Sequence, residues 1–161
     1  KGFSLGFFDD GYLCRFPVAV MEVGGRIEAF ASIWPGPAST ELSVDLMRHR
    51  PSAPLNAMEG LLIFLMQWGR QEGYGWFNLG MAPLSGLEAT HLAPLHVKVA
   101  SYLYRYGRPF YNFKGLRAYK EKFHPEWEPR YLAYPGGLSL PRVLADVSAL
   151  IAGGYRGILL R

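Results

Sequence analysis

At 161 residues, 50% apolar and 19% charged, the chain suits one domain with a hydrophobic core and is too apolar for a disordered segment. Its net charge of +4 is uneven: residues 98–130 carry eight basic and three acidic side chains, so this segment is +5 and the remainder −1. The single cysteine, Cys14, excludes an intramolecular disulfide and a cysteine-based zinc site.

The first predicted elements are three strands. Phe16–Val23 and Arg26–Trp34 are rich in strand-forming residues and flank Gly24-Gly25, a pattern that predicts a β-hairpin. Glu41–Met47 alternates between apolar and polar residues, which predicts a third strand. Its apolar face holds Leu42, Val44 and Leu46, and its polar face holds Glu41, Ser43 and Asp45.

A helix and a fourth strand follow. Apolar residues recur at helical spacing over Asn56–Glu72, where Asn56 can cap the start and Gly73 can close the end. Trp76–Gly80 is predicted as a short strand, and Met81–Leu92 as a loop. The order β-β-β-α-β indicates a mixed α/β fold and is compatible with the GNAT acyltransferase fold, among other mixed folds.

The remainder of the chain is predicted to add two helices, a strand and a last helix. These are His96–Arg105, ended by Gly107-Arg108-Pro109; Leu116–Phe123; the strand Arg130–Tyr134; and a helix capped by Ser139, with Pro141 in its first turn and Gly153-Gly154 at its end.

Membrane-spanning and metal-binding segments are not expected. The longest apolar run, Leu61–Met66, is far shorter than the roughly 20 residues that cross a bilayer. No signal peptide is visible, so we expect a soluble domain. If the protein works at a membrane, we expect this domain to reach it from outside the bilayer or to be anchored by another part of a longer chain. The four histidines, at positions 49, 91, 96 and 124, lack metal-ligand spacing, so we expect no metal.

The segment Arg70–Gly75 satisfies the R/Q-x-x-G-x-G/A signature with which acetyltransferases hold the coenzyme A pyrophosphate. That signature works at the start of a helix, where backbone amides and the helix dipole attract anions. Here it falls at the end of the predicted helix, where the dipole has the opposite sign. We therefore interpret it as a helix end followed by a turn.

Three segments carry candidate functional residues. Glu41–Arg48 places the acid Asp45 on a central strand, where it needs a structural partner, such as Arg117 or Lys120, or a functional role. Asn78–Gly86 is a strand exit into small residues. Phe110–Tyr131 mixes basic and aromatic residues, which suits phosphate-bearing ligands but is also typical of a solvated basic face.

Three phrases resemble the C-terminal domain of the multiple peptide resistance factor family: ELSVDLMR, WFNLGMAPLSG and FYNFKGLRAYKEKFHPEWEPRYLAY. The similarity runs from about Phe3 to Tyr134. It implies a GNAT-like fold, often the second of two in tandem behind a membrane-embedded flippase region. We therefore expect residues 1–161 to form a single domain, the C-terminal half of a tandem catalytic region in a longer membrane protein.

The resemblance implies an aminoacyltransferase that moves lysine or alanine from aminoacyl-tRNA to phosphatidylglycerol. It would act at the cytoplasmic face of the bacterial membrane, need no cofactor, and give resistance to cationic antimicrobial peptides. Asp45, Arg48 and Lys120 match positions the family needs for activity. From their chemistry alone, Ser85, Arg117 and Glu121 are assigned to substrate binding. We also expect Arg48, Arg117 and Lys120 to converge on one cleft with Asp45 at its floor.

Three alternatives stay open at this point. A coenzyme A-dependent N-acyltransferase would use the same fold, but its glycine signature is misplaced here. A non-catalytic domain that binds tRNA or anionic lipid would tolerate loss of Asp45. A relative that transfers amino acids to peptidoglycan precursors would not depend on lipid.

Overall fold

The structure, a computed structural model, describes residues 8–86, 97–98, 101–102, 112–136, 139–152 and 154. The helices are α1 (Asp10–Leu13), α2 (Ala57–Gln71), α3 (Phe113–Glu121) and α4 (Leu140–Ala152), and the strands are β1 (Val18–Val23), β2 (Arg26–Pro35), β3 (Glu41–His49) and β4 (Trp76–Asn78). The chain divides into two compact units: the sheet unit, Lys1–Asn78 with Tyr134–Arg161, and the α3 unit, Leu79–Ala133.

The four strands form one mixed sheet in the order β1-β2-β3-β4. The pairs β1–β2 and β2–β3 are antiparallel, whereas β3 and β4 are parallel. The parallel pair requires a crossover, and α2 lies in the connection between its two strands. The predicted hairpin, third strand and β-β-β-α-β order are therefore confirmed, and Asp45 lies on an interior strand.

One face of the sheet packs against α2. The buried cluster between them consists of Ala29, Ala31, Ile33, Leu42, Ala57, Leu61 and Leu65. Burying one leucine of this kind contributes about 1.5–3 kcal/mol. Gly69 lets the helix approach closely, because a Cβ at that position would lie 2.7 Å from Cδ2 of Leu42.

The opposite face of the sheet holds the aromatic side chains of Phe30 and Trp34 and the fully buried Ser32. Helix α1, which the sequence did not predict, is capped by Asp9, whose Oδ1 accepts a hydrogen bond from the Tyr12 amide at 2.7 Å. The rings of Tyr12 and Phe16 lie 5.2 Å apart, and those of Phe16 and Trp34 lie 6.2 Å apart. These contacts place Tyr12 over the second face of the sheet.

A β-bulge interrupts β3 beside Asp45. Ala31 pairs with Met47 and Ile33 with Val44, so β3 holds one more residue than β2 between these pairs. At the bulge, the backbone amide of Leu46 finds a hydrogen-bond acceptor in a side chain, since it donates to Oγ of Ser32 at 3.0 Å. Because of the bulge, the prediction that Leu46 shares a face with Leu42 and Val44 is wrong. Leu46 is buried outside the core cluster, and Met47 packs against the core cluster in its place.

Helix α2 agrees with its predicted range, but the side chain of Asn56 makes no capping hydrogen bond. The helix ends at Gln71, and Gly73 follows with a φ of +84°. Arg70 therefore lies in the last turn. The predicted location of the Arg70–Gly75 segment at the end of the helix is confirmed.

In the α3 unit, α3 starts three residues before its predicted start, because the side chain of Asn112 caps it by accepting the Gly115 amide at 3.0 Å. Within the predicted helix His96–Arg105, the described residues 97–98 and 101–102 are helical. The rest of that segment, its stop at 107–109 and the loop residues 87–92 lie outside the described residues.

The predicted strand Arg130–Tyr134 is wrong, because residues 124–136 have no regular structure. The large side chains of Tyr131 and Leu132 are exposed, so this segment buries neither face against the rest of the protein. The last predicted helix is confirmed as α4. Gly153 of its predicted end lies outside the described residues, and the Gly154 amide donates to the Ala149 carbonyl at 2.7 Å.

Candidate functional site

In the sheet unit, the candidate site centres on Asp45. This carboxylate is half-buried on β3, and its Oδ2 accepts a 3.0 Å hydrogen bond from the hydroxyl of Tyr12. Burial raises the pKa of Tyr12, and the hydrogen bond to Asp45 and the charge of Asp45 raise it further, while a hydrogen bond with Trp34 lowers it. Because the net shift is upward, Tyr12 stays protonated at neutral pH and acts as a donor that orients the carboxylate.

Arg48 lies three residues further along β3, at the exposed end of the strand. Its Nη1 donates to the carbonyl of Met47 at 2.8 Å. Asp45 and Arg48 are thus carried by the same strand, with the bulge next to Asp45. The sheet unit supplies an oriented carboxylate and an exposed guanidinium.

In the α3 unit, Lys120 is nearly buried, with 7% of its surface exposed. Its Nζ donates to the carbonyl of Met81 at 2.9 Å. Burial lowers the pKa of Lys120 from 10.5 to about 8. A lysine of this kind is an oriented donor that can lose its proton close to neutral pH.

The backbone next to Met81 adopts a conformation that favours glycine. Gly80 has a φ of +76°, and a Cβ built there would lie 3.5 Å from Nζ of Lys120. The strand exit Asn78–Gly86, singled out in the sequence for its small residues, therefore brings a carbonyl to the lysine.

Arg117 precedes Lys120 by almost one turn of α3 and contacts the same loop. Its Nη1 donates to Oγ of Ser85 at 3.2 Å, and Ser85 in turn donates to the Ala82 carbonyl at 2.8 Å. Nε of Arg117 lies 3.4 Å from Oε2 of Glu121, an ion pair between adjacent turns. Ser85, Arg117 and Glu121, assigned to substrate binding by chemistry alone, therefore form one connected cluster.

The structure thus groups the six predicted residues into two sets. Asp45 and Arg48 belong to the sheet unit, and the other four belong to the α3 unit. Their convergence on one cleft stays a prediction. The sequence does not indicate two residues that contact this set. Tyr12 lies on a helix of a single turn, which has no periodic pattern. Trp127 lies in the segment of mixed basic and aromatic residues, where nothing distinguishes it, and it contacts both Arg117 and Glu121.

A surface cavity of about 290 Å³ lies in the sheet unit at the end of α2. It is lined by Leu42, Met66, Gly69, Arg70, Tyr74, Gly75, Trp76 and Phe77. Since it adjoins the carboxyl end of the helix, the dipole there disfavours a pyrophosphate.

Within the described ranges, no group of three or more His, Cys, Asp or Glu side chains is arranged to hold a metal ion. Of the helices that the structure describes, none has the length and apolar character needed to span a bilayer.

Comparison with known sequences identifies close relatives. The chain is 43% identical over 152 residues to the phosphatidylglycerol lysyltransferase of Bacillus subtilis (strain 168), covering 94% of this chain and 18% of that protein. It is 37% identical over 150 residues to the phosphatidylglycerol lysyltransferase of Staphylococcus aureus (strain MRSA252), covering 92% and 18% respectively. The chain therefore spans about a fifth of the length of these relatives.

Solved structures agree with this relationship. L-PGS from Bacillus licheniformis superimposes with a TM-score of 0.75 at 42% identity, over 95% of this chain and 46% of that chain. The C-terminal domain of a proposed lysylphosphatidylglycerol synthetase from Agrobacterium fabrum gives a TM-score of 0.76 at 45% identity, over 96% and 45%. The mixed α/β, GNAT-like fold predicted from the sequence is confirmed.

The family described as "Phosphatidylglycerol lysyltransferase, C-terminal" matches residues 1–134, which include all six predicted site residues as well as Tyr12 and Trp127. The resemblance seen in the three sequence phrases is thereby confirmed. This chain belongs to the phosphatidylglycerol lysyltransferase C-terminal family.

Proposed function

We propose that the protein containing this chain transfers an amino acid from aminoacyl-tRNA to the glycerol headgroup of phosphatidylglycerol, and that this chain holds catalytic residues for the transfer. The relatives are named for lysyl transfer, which makes lysine the first candidate and alanine the second. The observation that carries the proposal is Asp45, a half-buried carboxylate on an interior strand, held by Tyr12 on one of its two oxygens.

The proposed reaction exchanges one ester for another. A headgroup hydroxyl loses its proton and its oxygen bonds to the ester carbonyl carbon of aminoacyl-tRNA. The bond from that carbon to the ribose oxygen then breaks, and the ribose oxygen takes up a proton. Reactant and product are both esters, so the exchange needs neither ATP nor coenzyme A.

Asp45 has the chemistry for two roles in this reaction. With Oδ2 occupied by Tyr12, Oδ1 is the oxygen that would take the headgroup proton or bind the ammonium group of the amino acid. Either role requires the ionised carboxylate. The hydrogen bond from Tyr12 fixes the orientation of the carboxylate for either role.

The cations have complementary roles in the proposal. Arg48 is exposed and suits a phosphate of either substrate. Lys120, being nearly buried and already oriented by Met81, suits a developing oxyanion better than a diffusing polyanion. Arg117 and Glu121, with Ser85, would bind the substrate next to the Met81–Gly86 loop.

The remaining proposals follow from the substrates. Aminoacyl-tRNA is made in the cytoplasm, so transfer would occur at the cytoplasmic face of the membrane, with other regions of a longer chain as partners. Adding lysine reverses the sign of the headgroup charge, which would weaken binding of cationic antimicrobial peptides to the surface. Residues 1–161 would serve as a single domain, the C-terminal half of a tandem catalytic region in the longer protein.

The decisive experiment incubates the complete protein with radiolabelled lysyl-tRNA and phosphatidylglycerol vesicles. We expect labelled lipid, no stimulation by coenzyme A, and no product with Asp45→Asn. A parallel reaction with alanyl-tRNA identifies the amino acid, and one with peptidoglycan precursor in place of lipid tests the alternative acceptor. If no labelled lipid forms although tRNA binds, the chain is a binding domain and the proposal is wrong.

A further inference from the structure

The indole of Trp127 packs directly on the guanidinium of Arg117. Cζ of Arg117 lies 3.8 Å from the centroid of the Trp127 ring, a cation–π contact at close range. The indole Nε1 donates a 2.8 Å hydrogen bond to Oε2 of Glu121. The same carboxylate oxygen is paired with Nε of Arg117, so the three side chains form a closed triangle.

The backbone after α3 reverses so that Trp127 can reach this position. The amides of Phe123 and His124 donate to the carbonyls of Lys120 and Glu121, at 3.0 Å each. His124 then adopts a φ of +49°, a left-handed conformation that turns the chain back along the helix. Pro125 follows His124 directly and cannot continue the helix, because it has no amide hydrogen.

The contacts of Arg117 leave one edge of its guanidinium available. Nε is paired with Glu121, Nη1 donates to Ser85 and one face of the group is covered by the indole. Among the described residues, Nη2 donates no hydrogen bond. The side chain is 31% exposed, so solvent or a ligand can reach it. A guanidinium held at three points while one nitrogen stays open is preorganised to bind an anionic oxygen.

We propose that Trp127 is a positioning residue that, together with Glu121, fixes Arg117 so that its Nη2 edge binds a phosphodiester oxygen of a substrate. This inference rests on the proposed transfer reaction and specifies how one of its substrates is held. Both substrates contain phosphodiesters, one in the lipid headgroup and one in the tRNA backbone. The kinetics with each substrate varied in turn tell which of them Arg117 contacts.

The test uses the complete protein in the radiolabelled transfer assay and varies lipid and aminoacyl-tRNA separately. Trp127→Leu removes the ring and the indole N–H, whereas Trp127→Phe keeps an aromatic face. We expect Trp127→Leu to raise KM for one substrate about fivefold with kcat unchanged, because a contact to a spectator phosphate is made equally in the ground and transition states. Trp127→Phe should recover most of that loss.

A double-mutant cycle separates positioning from general stabilisation. If Trp127 acts through Arg117, then Trp127→Leu should have little further effect on KM in an Arg117→Lys background. The matched controls are Trp76→Leu, which removes an exposed tryptophan from the sheet unit, and Glu128→Gln, which neutralises the exposed partner of Arg130. Both should leave KM and kcat unchanged.

Three outcomes would overturn the inference: unchanged KM for both substrates in Trp127→Leu, an effect fully additive with Arg117→Lys, or an equal loss of kcat in Trp127→Leu and Trp127→Phe with a lower Tm. If the wild-type protein makes no aminoacylated lipid, the proposed function itself fails. If the wild type is active and the cycle is additive, only the role of Trp127 fails.

Discussion

The hydroxyl of Tyr12 lies 3.0 Å from Oδ2 of Asp45 and joins the single-turn helix α1 to the interior strand β3, 33 positions further along the chain. The contact lies on the face of the sheet opposite the α2 core. Asp45, the proposed catalytic carboxylate, is thus oriented by Tyr12, a residue outside the hydrophobic core cluster.

Replacing Tyr12 with phenylalanine tests this contact. Tyr12→Phe removes only the hydroxyl, and we expect kcat of the complete protein to fall about tenfold, because a hydrogen bond to a charged group is lost. Tyr74→Phe, at a partly buried tyrosine next to Trp68, is the matched control and should keep full activity. Equal activity of Tyr12→Phe and wild type would show that Asp45 needs no orienting partner.

Neutralising Asp45 tests the carboxylate itself. Asp45→Asn keeps the size of the side chain, and we expect a loss of transfer of at least about a hundredfold with Tm unchanged. Asp10→Asn, at an exposed acid in the first turn of α1, serves as the control. Retained activity with a lower Tm would assign Asp45 a structural role.

The lowered pKa of Lys120 predicts that activity falls on the alkaline side of the pH profile, which we call the alkaline limb. Its pKa is about 8 because of burial, so the side chain is charged below that pH and neutral above it. If the charge acts in catalysis, kcat/KM should fall as the pH rises through about 8. Lys120→Arg, which keeps its charge throughout, should be slower but should lack the limb. A limb that persists in Lys120→Arg would belong to another group or to the substrate.

Gly80 should resist substitution. Alanine at φ +76° is strained by about 1 kcal/mol or more, and its Cβ would contact Nζ of Lys120 at 3.5 Å. We expect Gly80→Ala to lower both Tm and kcat, because the loop that presents the Met81 carbonyl is disturbed. Gly11→Ala, within helix α1 and without a positive φ, should leave Tm unchanged or higher. An unaltered Tm in Gly80→Ala would indicate that the loop relaxes freely.

Glu28 provides a test of stability away from the site. This carboxylate is 3% exposed, accepts a 3.0 Å hydrogen bond from Ser52 and pairs with Arg26 at 2.5 Å. Burial alone would raise its pKa, but the hydrogen bonds from Ser52 and Arg26 and the charges of Arg26 and Arg50 outweigh burial, so the pKa is lowered from 4.5.

Because the folded pKa is lowered, the stabilisation is complete above the ordinary pKa and is lost as the pH falls through the folded value. Glu28→Gln should therefore lower Tm at pH 7 by at least about 2 °C, and the difference from wild type should shrink in acid below about pH 4. Glu22→Gln, on the exposed end of β1, is the control. A difference that grows in acid would contradict the assigned sign.

The periodic elements could be predicted from the sequence, and the short ones could not. The apolar–polar alternation in β3 and the helical spacing of apolar residues in α2 each extend over several repeats, so both patterns are distinguishable from chance. Helix α1 has only four residues and is held by the Asp9 cap and by aromatic contacts made after folding. The strand predicted at 130–134 was wrong because strand-forming composition does not supply a partner strand.

The candidate site likewise has residues that could be predicted from the sequence and contacts that could not. Residue type and family phrases pointed to Asp45, Arg48 and Lys120, but the contacts of Lys120 depend on a loop whose backbone conformation the sequence does not reveal. Trp127 meets Arg117 only because His124 reverses the chain at a position where a non-glycine residue rarely has a positive φ. Side chains that meet through such turns have no periodic signature.

The bulge in β3 makes the length of that strand as important as its composition. The extra residue opposite β2 changes the alternation between Val44 and Met47, so both pack on the α2 core while Asp45 faces Tyr12. A one-residue deletion here would force either Met47 out of the core or Asp45 away from Tyr12. A substitution within Glu41–His49 preserves this register, whereas an insertion or deletion changes which side chains reach the core and which reach Tyr12.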